Sequence, residues 1–210
     1  MEGANNLTGN NNRIHFIGIG GTGMSGIAKI LMNMGYTVSG SDLKVSEALI
    51  RLKDEGARVF IGHDASNVEG ADTVVVSSAI PQSNPEYMKA IESNIPLVHR
   101  ADMLSLLMSP KKGIAVTGAH GKTTTTSMIS SIMEKNGFDP TVVIGGELND
   151  IGGNATLGSG DFLVAEADES DGSFMKLHPY VAVITNIEND HMDYYKNMNN
   201  MKNAFKKFVN

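Results

Sequence analysis

Twice along the chain a short β-branched run passes straight into a glycine-rich turn and then into an amphipathic stretch. The two junctions are RIHFIGIGGTGMSGIAKILMNM at residues 13–34 and GIAVTGAHGKTTTTSMISSIM at residues 113–133. A strand that must reverse into a helix within a few residues feeds a parallel neighbour, so this pattern demands an α/β fold with a parallel sheet. The two junctions share architecture but not sequence. After the first, the spacing predicts strands over Arg13–Gly18, Thr37–Gly40, Arg58–Ile61, Thr73–Ser77 and Leu97–His99. Helices are predicted over Met24–Met34, Ser46–Glu55 and Pro85–Glu92, with Gly35, Gly56 and Pro96 punctuating. The second unit reads as strands Ile114–Thr117, Thr141–Ile144, Phe162–Glu166 and Val181–Thr185, with helices Thr123–Lys135 and Met198–Val209. Its last helix has no return strand, which reads as a fold continued in a longer chain.

Composition removes several alternatives. The 210 residues are 41% hydrophobic and contain no cysteine, so disulfides, thiolate metal sites and a cysteine nucleophile are excluded. The net charge of −6 argues against nucleic acid as a partner, since that affinity is built from many phosphate-facing cations. No run approaches the roughly 20 apolar residues that span a bilayer, and residues 1–12 read as a mobile Asn- and Gly-rich tail. A cytoplasmic location is the expectation. The 13 methionines fall mostly on helical faces and read as core filler.

Four segments carry chemistry. Gly18-Ile19-Gly20-Gly21-Thr22-Gly23-Met24-Ser25-Gly26 lets the backbone approach a diphosphate at a helix N-terminus. Asp42, ending the next strand, stands where an acidic residue takes a ribose hydroxyl. Thr117-Gly118-Ala119-His120-Gly121-Lys122-Thr123-Thr124 is a phosphate loop of the short TGxxGKT form, with Lys122 reaching the β- and γ-phosphates and the Thr123 hydroxyl placed for Mg²⁺. In Glu166-Ala167-Asp168-Glu169-Ser170-Asp171, Glu166 ends an apolar strand, where a carboxylate facing a triphosphate holds Mg²⁺; Asp171 reads as part of a solvated acidic loop. Thr185-Asn186-Ile187-Glu188-Asn189-Asp190-His191 brings His191 to another strand end, on the face of Lys122 and Glu166. His15, His63 and His178 read as structural.

Taken in order, GIGGTGMSG, SGSD, VVSSAI, HRADML, TGAHGKTTTT, EADESDGSF and TNIENDHMDYY resemble the Mur ligases of bacterial peptidoglycan synthesis, in particular their alanine-adding branch. The resemblance runs from about Arg13 to the last residue. It implies a Rossmann-like UDP-sugar-binding domain at 13–108 and the front part of a central P-loop ATPase domain at 109–210. The family's C-terminal amino-acid-binding domain is absent from the sequence, which implies that this chain alone is inactive. It implies ATP, UDP-N-acetylmuramate and L-alanine as substrates, with Mg²⁺ as cofactor and an acyl phosphate as intermediate. Lys122, Glu166 and His191 would be catalytic, and Thr123, Glu166 and His191 would hold metal. Gly118, Ala119, His120, Gly121, Lys122, Thr123, Thr124 and Asn186 would bind ATP. Gly20, Thr22, Gly23, Met24 and Ser25 would face the UDP diphosphate, and Asp42, Ser77, Ser78, His99 and Arg100 the uridine or sugar-acid end.

Two other classes compete. The first glycine turn with Asp42 also fits a nicotinamide-dependent oxidoreductase, which leaves Lys122, Glu166 and His191 without a task. A non-catalytic nucleotide-binding module fits a chain that keeps its UDP-sugar site and turns nothing over.

Overall fold

The computed structural model describes residues 12–148 and 153–209. The tail expected over 1–12 therefore lies, apart from Asn12, outside the described residues. The first half contains β1 (Arg13–Ile17), α1 (Thr22–Asn33), β2 (Thr37–Asp42), α2 (Glu47–Asp54), β3 (Arg58–Ile61), β4 (Thr73–Val76), α3 (Pro85–Glu92), β5 (Leu97–His99) and α4 (Arg100–Met108). Its five strands are parallel in the order β3-β2-β1-β4-β5. The order reverses at β1, and an open parallel sheet binds ligands outside the carboxyl ends at such a point. The glycine turn after β1 occupies it.

The second half contains β6 (Lys112–Thr117), α5 (Lys122–Lys135), β7 (Thr141–Leu148), β8 (Gly153–Thr156), β9 (Phe162–Glu166), β10 (Val181–Ile184), α6 (Met192–Tyr195) and α7 (Met198–Phe208). The sheet order is β10-β6-β9-β7-β8, parallel except for the antiparallel pair of β7 and β8. Thr117, Glu166 and Ile184 thus end three adjacent strands at one edge.

Three elements are absent from the expectations above: α4, β8 and the one-turn α6. Helix α4 buries Ala101, Met103, Leu104, Leu107 and Met108 around its circumference, so it has no one-sided apolar stripe. It also starts directly at the end of β5, capped by His99, whose Nδ1 accepts the Ala101 N–H at 3.2 Å. Histidine is not among the favoured N-caps, so the sequence carries no start signal there. Strand β8 reads GNAT, a weak strand former, and is held by pairing with β7 and by packing on α1.

Helix α1 joins the halves. Its Met24, Ile27, Ala28, Ile30 and Leu31 are buried, at the i, i+3, i+4 spacing of a core-facing helix. Each large aliphatic side chain among them contributes about 1.5–3 kcal/mol by leaving water. The opposite flank meets the second sheet: a Cβ on Gly26 would lie 3.4 Å from Ala155 Cβ and 3.5 Å from Val143 Cγ1. Asn154 of β8 donates to Thr22 O at 2.6 Å and Ser25 Oγ at 2.7 Å. Of the methionines, Met24, Met103, Met108 and Met201 are core residues, whereas Met34, Met88 and Met128 are exposed.

A buried polar knot stabilises the far face of the first sheet. Glu86 on α3 takes hydrogen bonds from Asn67 Nδ2 at 2.6 Å and from Ser41 Oγ, and His15 Nε2 lies 3.3 Å away. Burial pushes the Glu86 carboxyl up, but these partners outweigh it and hold the group below its ordinary range. His15 is a structural residue, as read from the sequence. No helix among the described residues is long and apolar enough to cross a membrane.

A candidate phosphate site where the two sheets meet

The loop after β6 is fixed by its neighbours. Gly118 has φ +131°, a conformation reserved in practice for glycine, and a Cβ there would sit 2.2 Å from Thr185 Oγ1 and 2.8 Å from Asn186 O. Asn186 brackets the loop: its Oδ1 accepts the His120 N–H at 3.1 Å and its Nδ2 donates to His120 O at 3.0 Å. Thr185 Oγ1 adds a bond to the same carbonyl at 2.6 Å. Gly121, at φ +81°, turns the chain into α5. The first-turn N–H groups of Lys122, Thr123 and Thr124 have no intrahelical acceptor and are free for an anion. The Lys122 ammonium donates to Gly118 O at 2.7 Å, folding back over the loop.

Around that loop the strand ends converge. Glu166 Oε1 is buried and has no hydrogen-bond partner among the described residues. A buried carboxylate oxygen of that kind calls for a cation or a hydrogen-bond donor. Its other oxygen lies 2.6 Å from where a Cβ on Gly145 would stand, so the carboxylate needs glycine opposite it. His191, one-third exposed, has its Nε2 3.7 Å from Glu169 and 3.6 Å from Asp190.

Glu169 is the residue that sequence reasoning passed over. It is fully buried, with Oε1 2.9 Å from the Lys122 ammonium and Oε2 3.4 Å from Thr117 Oγ1, and its backbone carbonyl accepts the Tyr195 hydroxyl. A run of four acids in six residues reads as a solvated face, and nothing in the sequence says which of them turns inward.

The first half supplies the opposite wall. The Gly20 N–H donates to Asp42 Oδ2 at 2.9 Å, so Asp42 braces the first glycine turn. Met24 and Ser25 are buried on α1, with Ser25 Oγ donating to Thr22 O at 3.1 Å. Arg100 pairs with Asp168 at 3.3 Å. A cavity of about 230 Å³ lies between the halves, lined among others by Thr22, Gly23, Arg100, Lys122, Glu166 and Asp168. A larger hollow of about 600 Å³ beside α7 is lined by Tyr194 and Tyr195 and by none of the site residues expected from the sequence.

A second polar bridge crosses nearby. Ser78 donates to Asp171, and His99 Nε2 lies 3.0 Å from Ser78 Oγ. Because His99 Nδ1 accepts from Ala101, its proton is on Nε2 and points to the serine, which passes the polarity on to Asp171. Burial and then Lys176 lower the His99 imidazole, keeping it neutral near pH 7. Asp171 is therefore not a solvated loop residue, as its acidic surroundings suggested. Burial raises its carboxyl, but bonds from Ser173 and Ser78 outweigh that and hold it below the usual range. A depressed acid stabilises the fold above its unfolded value near 4 and loses that contribution as pH falls through the folded value. The hydrogen-exchange protection factors of the 171–177 segment should consequently hold from pH 7 down to about 4 and fall below it, a step that Asp171→Asn removes. Ser77, by contrast, lies in a turn, with the Ile80 N–H donating to its carbonyl at 3.1 Å.

Known proteins resemble the chain in sequence and fold. The profile described as "Mur ligase family, catalytic domain" matches residues 13–112, and "Mur ligase middle domain" matches residues 116–210. A UDP-N-acetylmuramate–L-alanine ligase of Persephonella marina is 59% identical over 197 residues, which is 94% of this chain and 43% of that protein. The chain spans under half the length of the curated relatives it matches. The crystal structure of a UDP-N-acetylmuramate–alanine ligase from Thermotoga maritima superposes with TM-score 0.88 at 35% identity, over 93% of this chain and 46% of that one. A UDP-N-acetylmuramate:L-alanyl-γ-D-glutamyl-meso-diaminopimelate ligase of Neisseria gives TM-score 0.87 at 30% identity, over 94% of this chain and 67% of that one. With two profiles matched in chain order and the fold shared across nearly every described residue, the chain belongs to the Mur ligase family.

Proposed function

We propose that this chain supplies the UDP-sugar and ATP sites of a cytoplasmic, ATP-dependent amide ligase that joins L-alanine to UDP-N-acetylmuramate. The observation that carries the reading is the cavity in which the phosphate-loop Lys122 and the strand-end Glu166 face Gly23 and Arg100 of the other sheet. ATP on the loop after β6 would direct its γ-phosphate toward a carboxylate held from the first half. An oxygen of that carboxylate attacks phosphorus, the bond to ADP breaks, and an acyl phosphate forms. The alanine amine then attacks the carbonyl carbon, phosphate leaves, and the amine gives up a proton. Phosphoryl transfer asks mainly for positioning and charge neutralisation. Lys122 and the first-turn amides of α5 supply both for ATP, and Arg100 suits the sugar-acid anion.

The donor set fits magnesium. Among the described residues no three His, Asp or Glu side chains form a ready-made cage, but magnesium is commonly held by one or two protein oxygens with phosphate and water completing the shell. Glu166 Oε1 is an oxygen with no partner among the described residues, and Thr123 stands in the first turn of α5 beside the loop. His191 is a softer donor, with two carboxylates within 4 Å of its Nε2. Bound there, magnesium would offset the β- and γ-phosphate charge.

Calorimetric titration of the 210-residue chain is expected to give saturable binding of UDP-N-acetylmuramate and none of NADH. Alanine-dependent ADP release is expected only from the complete gene product. NADH binding in place of the UDP-sugar would overturn the reading.

A further inference from the structure

We infer that Glu169 is a positioning residue that holds the Lys122 ammonium and the His191 imidazole in one arrangement and yields part of its hold on Lys122 to an incoming triphosphate. The inference rests on the proposed use of ATP and adds a residue to it. A carboxylate with no exposure costs several kcal/mol to desolvate unless it is paired and hydrogen-bonded. Glu169 answers that cost with groups from the other two motifs: Lys122 at 2.9 Å, Thr117 Oγ1 at 3.4 Å and His191 at 3.7 Å. Its backbone is tied by Tyr195, four residues beyond His191. The phosphate loop, the loop after β9 and the turn after β10 thus meet on this one side chain.

Lysine has three N–H donors. Among the described residues, Gly118 O and Glu169 Oε1 take two of them, which leaves the third for a phosphate. The ammonium is aimed by a charge behind it, at the cost of sharing its charge with that carboxylate. Removing the negative charge should release the ammonium to bind phosphate more tightly while losing its aim. Affinity and turnover then move in opposite directions, an outcome a merely structural residue does not produce.

The test measures ATP and AMP binding and steady-state kinetics on the complete gene product. For Glu169→Gln, ATP is expected to bind severalfold more tightly, AMP unchanged, and kcat to fall about 10²-fold, as for a misaligned reacting group. Glu169→Asp, which keeps the charge but withdraws it by one methylene, should lower kcat without tightening ATP. A single cooperative melting transition together with retained UDP-N-acetylmuramate affinity certifies folding. Should Glu169→Gln fail to fold, Thr117→Val, which frees the other carboxylate oxygen, is expected to lower kcat with AMP binding unchanged. Parallel losses of ATP affinity and kcat, or no change in either, would overturn the inference. Failure of the wild-type protein to bind ATP would instead overturn the ligase reading itself.

Discussion

Lys122→Ala is expected to lower ATP-dependent phosphate release about 10³-fold while leaving UDP-N-acetylmuramate affinity within a factor of two. The size follows from removing a preorganised charge from a phosphate site, where one lost donor costs about 10²–10³ in rate. The selectivity follows from geometry. Lys122 opens α5 at the edge of the second sheet, whereas the first glycine turn is braced by Asp42 and fed by β1. The substitution also leaves Glu169 buried without its ammonium, so a modest loss of melting temperature should accompany it. Calorimetry with the UDP-sugar and a coupled phosphate assay on the same preparation read both sides. A large loss of UDP-sugar affinity would show that the two sites are not separable.

Gly118→Ala should be nearly as severe for ATP and for a different reason. The residue would be forced to adopt φ +131° with a Cβ 2.8 Å from the Asn186 carbonyl oxygen and 3.0 Å from its nitrogen. Thr185 could rotate away; the Asn186 backbone could not. Strain of this kind costs about 1–3 kcal/mol before any steric push is counted. The least costly relief is to displace the loop from the Asn186 bracket, which scatters the amides that face phosphate. ATP affinity is expected to fall more than about 100-fold, since the site depends on several N–H groups acting together. Melting should drop by several degrees, and UDP-sugar binding should persist. Unaltered ATP affinity would mean that the loop does not hold phosphate in this conformation.

The two strand–turn–helix junctions were legible because their physics is local. Glycine is the residue that turns a strand into a helix that tightly, and the apolar spacing on α1 declares its buried face. Residues whose role comes from distant partners were not legible. Helix α4 packs on several sides and so lacks a stripe; β8 is a strand because β7 and α1 make it one. Within the acidic run, Glu166 could be singled out by ending a strand. Glu169 and Asp171 could not, because their partners Lys122 and Ser78 lie 47 and 93 residues earlier in the chain. Asp42 stood at a recognisable position, yet its nearest task, accepting the Gly20 N–H, depends on how the turn folds back over β2.

Helix α1 carries the first glycine turn at its head and has the first sheet on one flank and β7 and β8 on the other. Any swing that widened the gap between the sheets would have to strip one of those flanks, wetting Ile27 or tearing Asn154 from Thr22. Travel along the helix axis would break the same Asn154 bonds, to Thr22 O and Ser25 Oγ. The first phosphate-facing turn is thereby pinned to the second sheet at the head of α1.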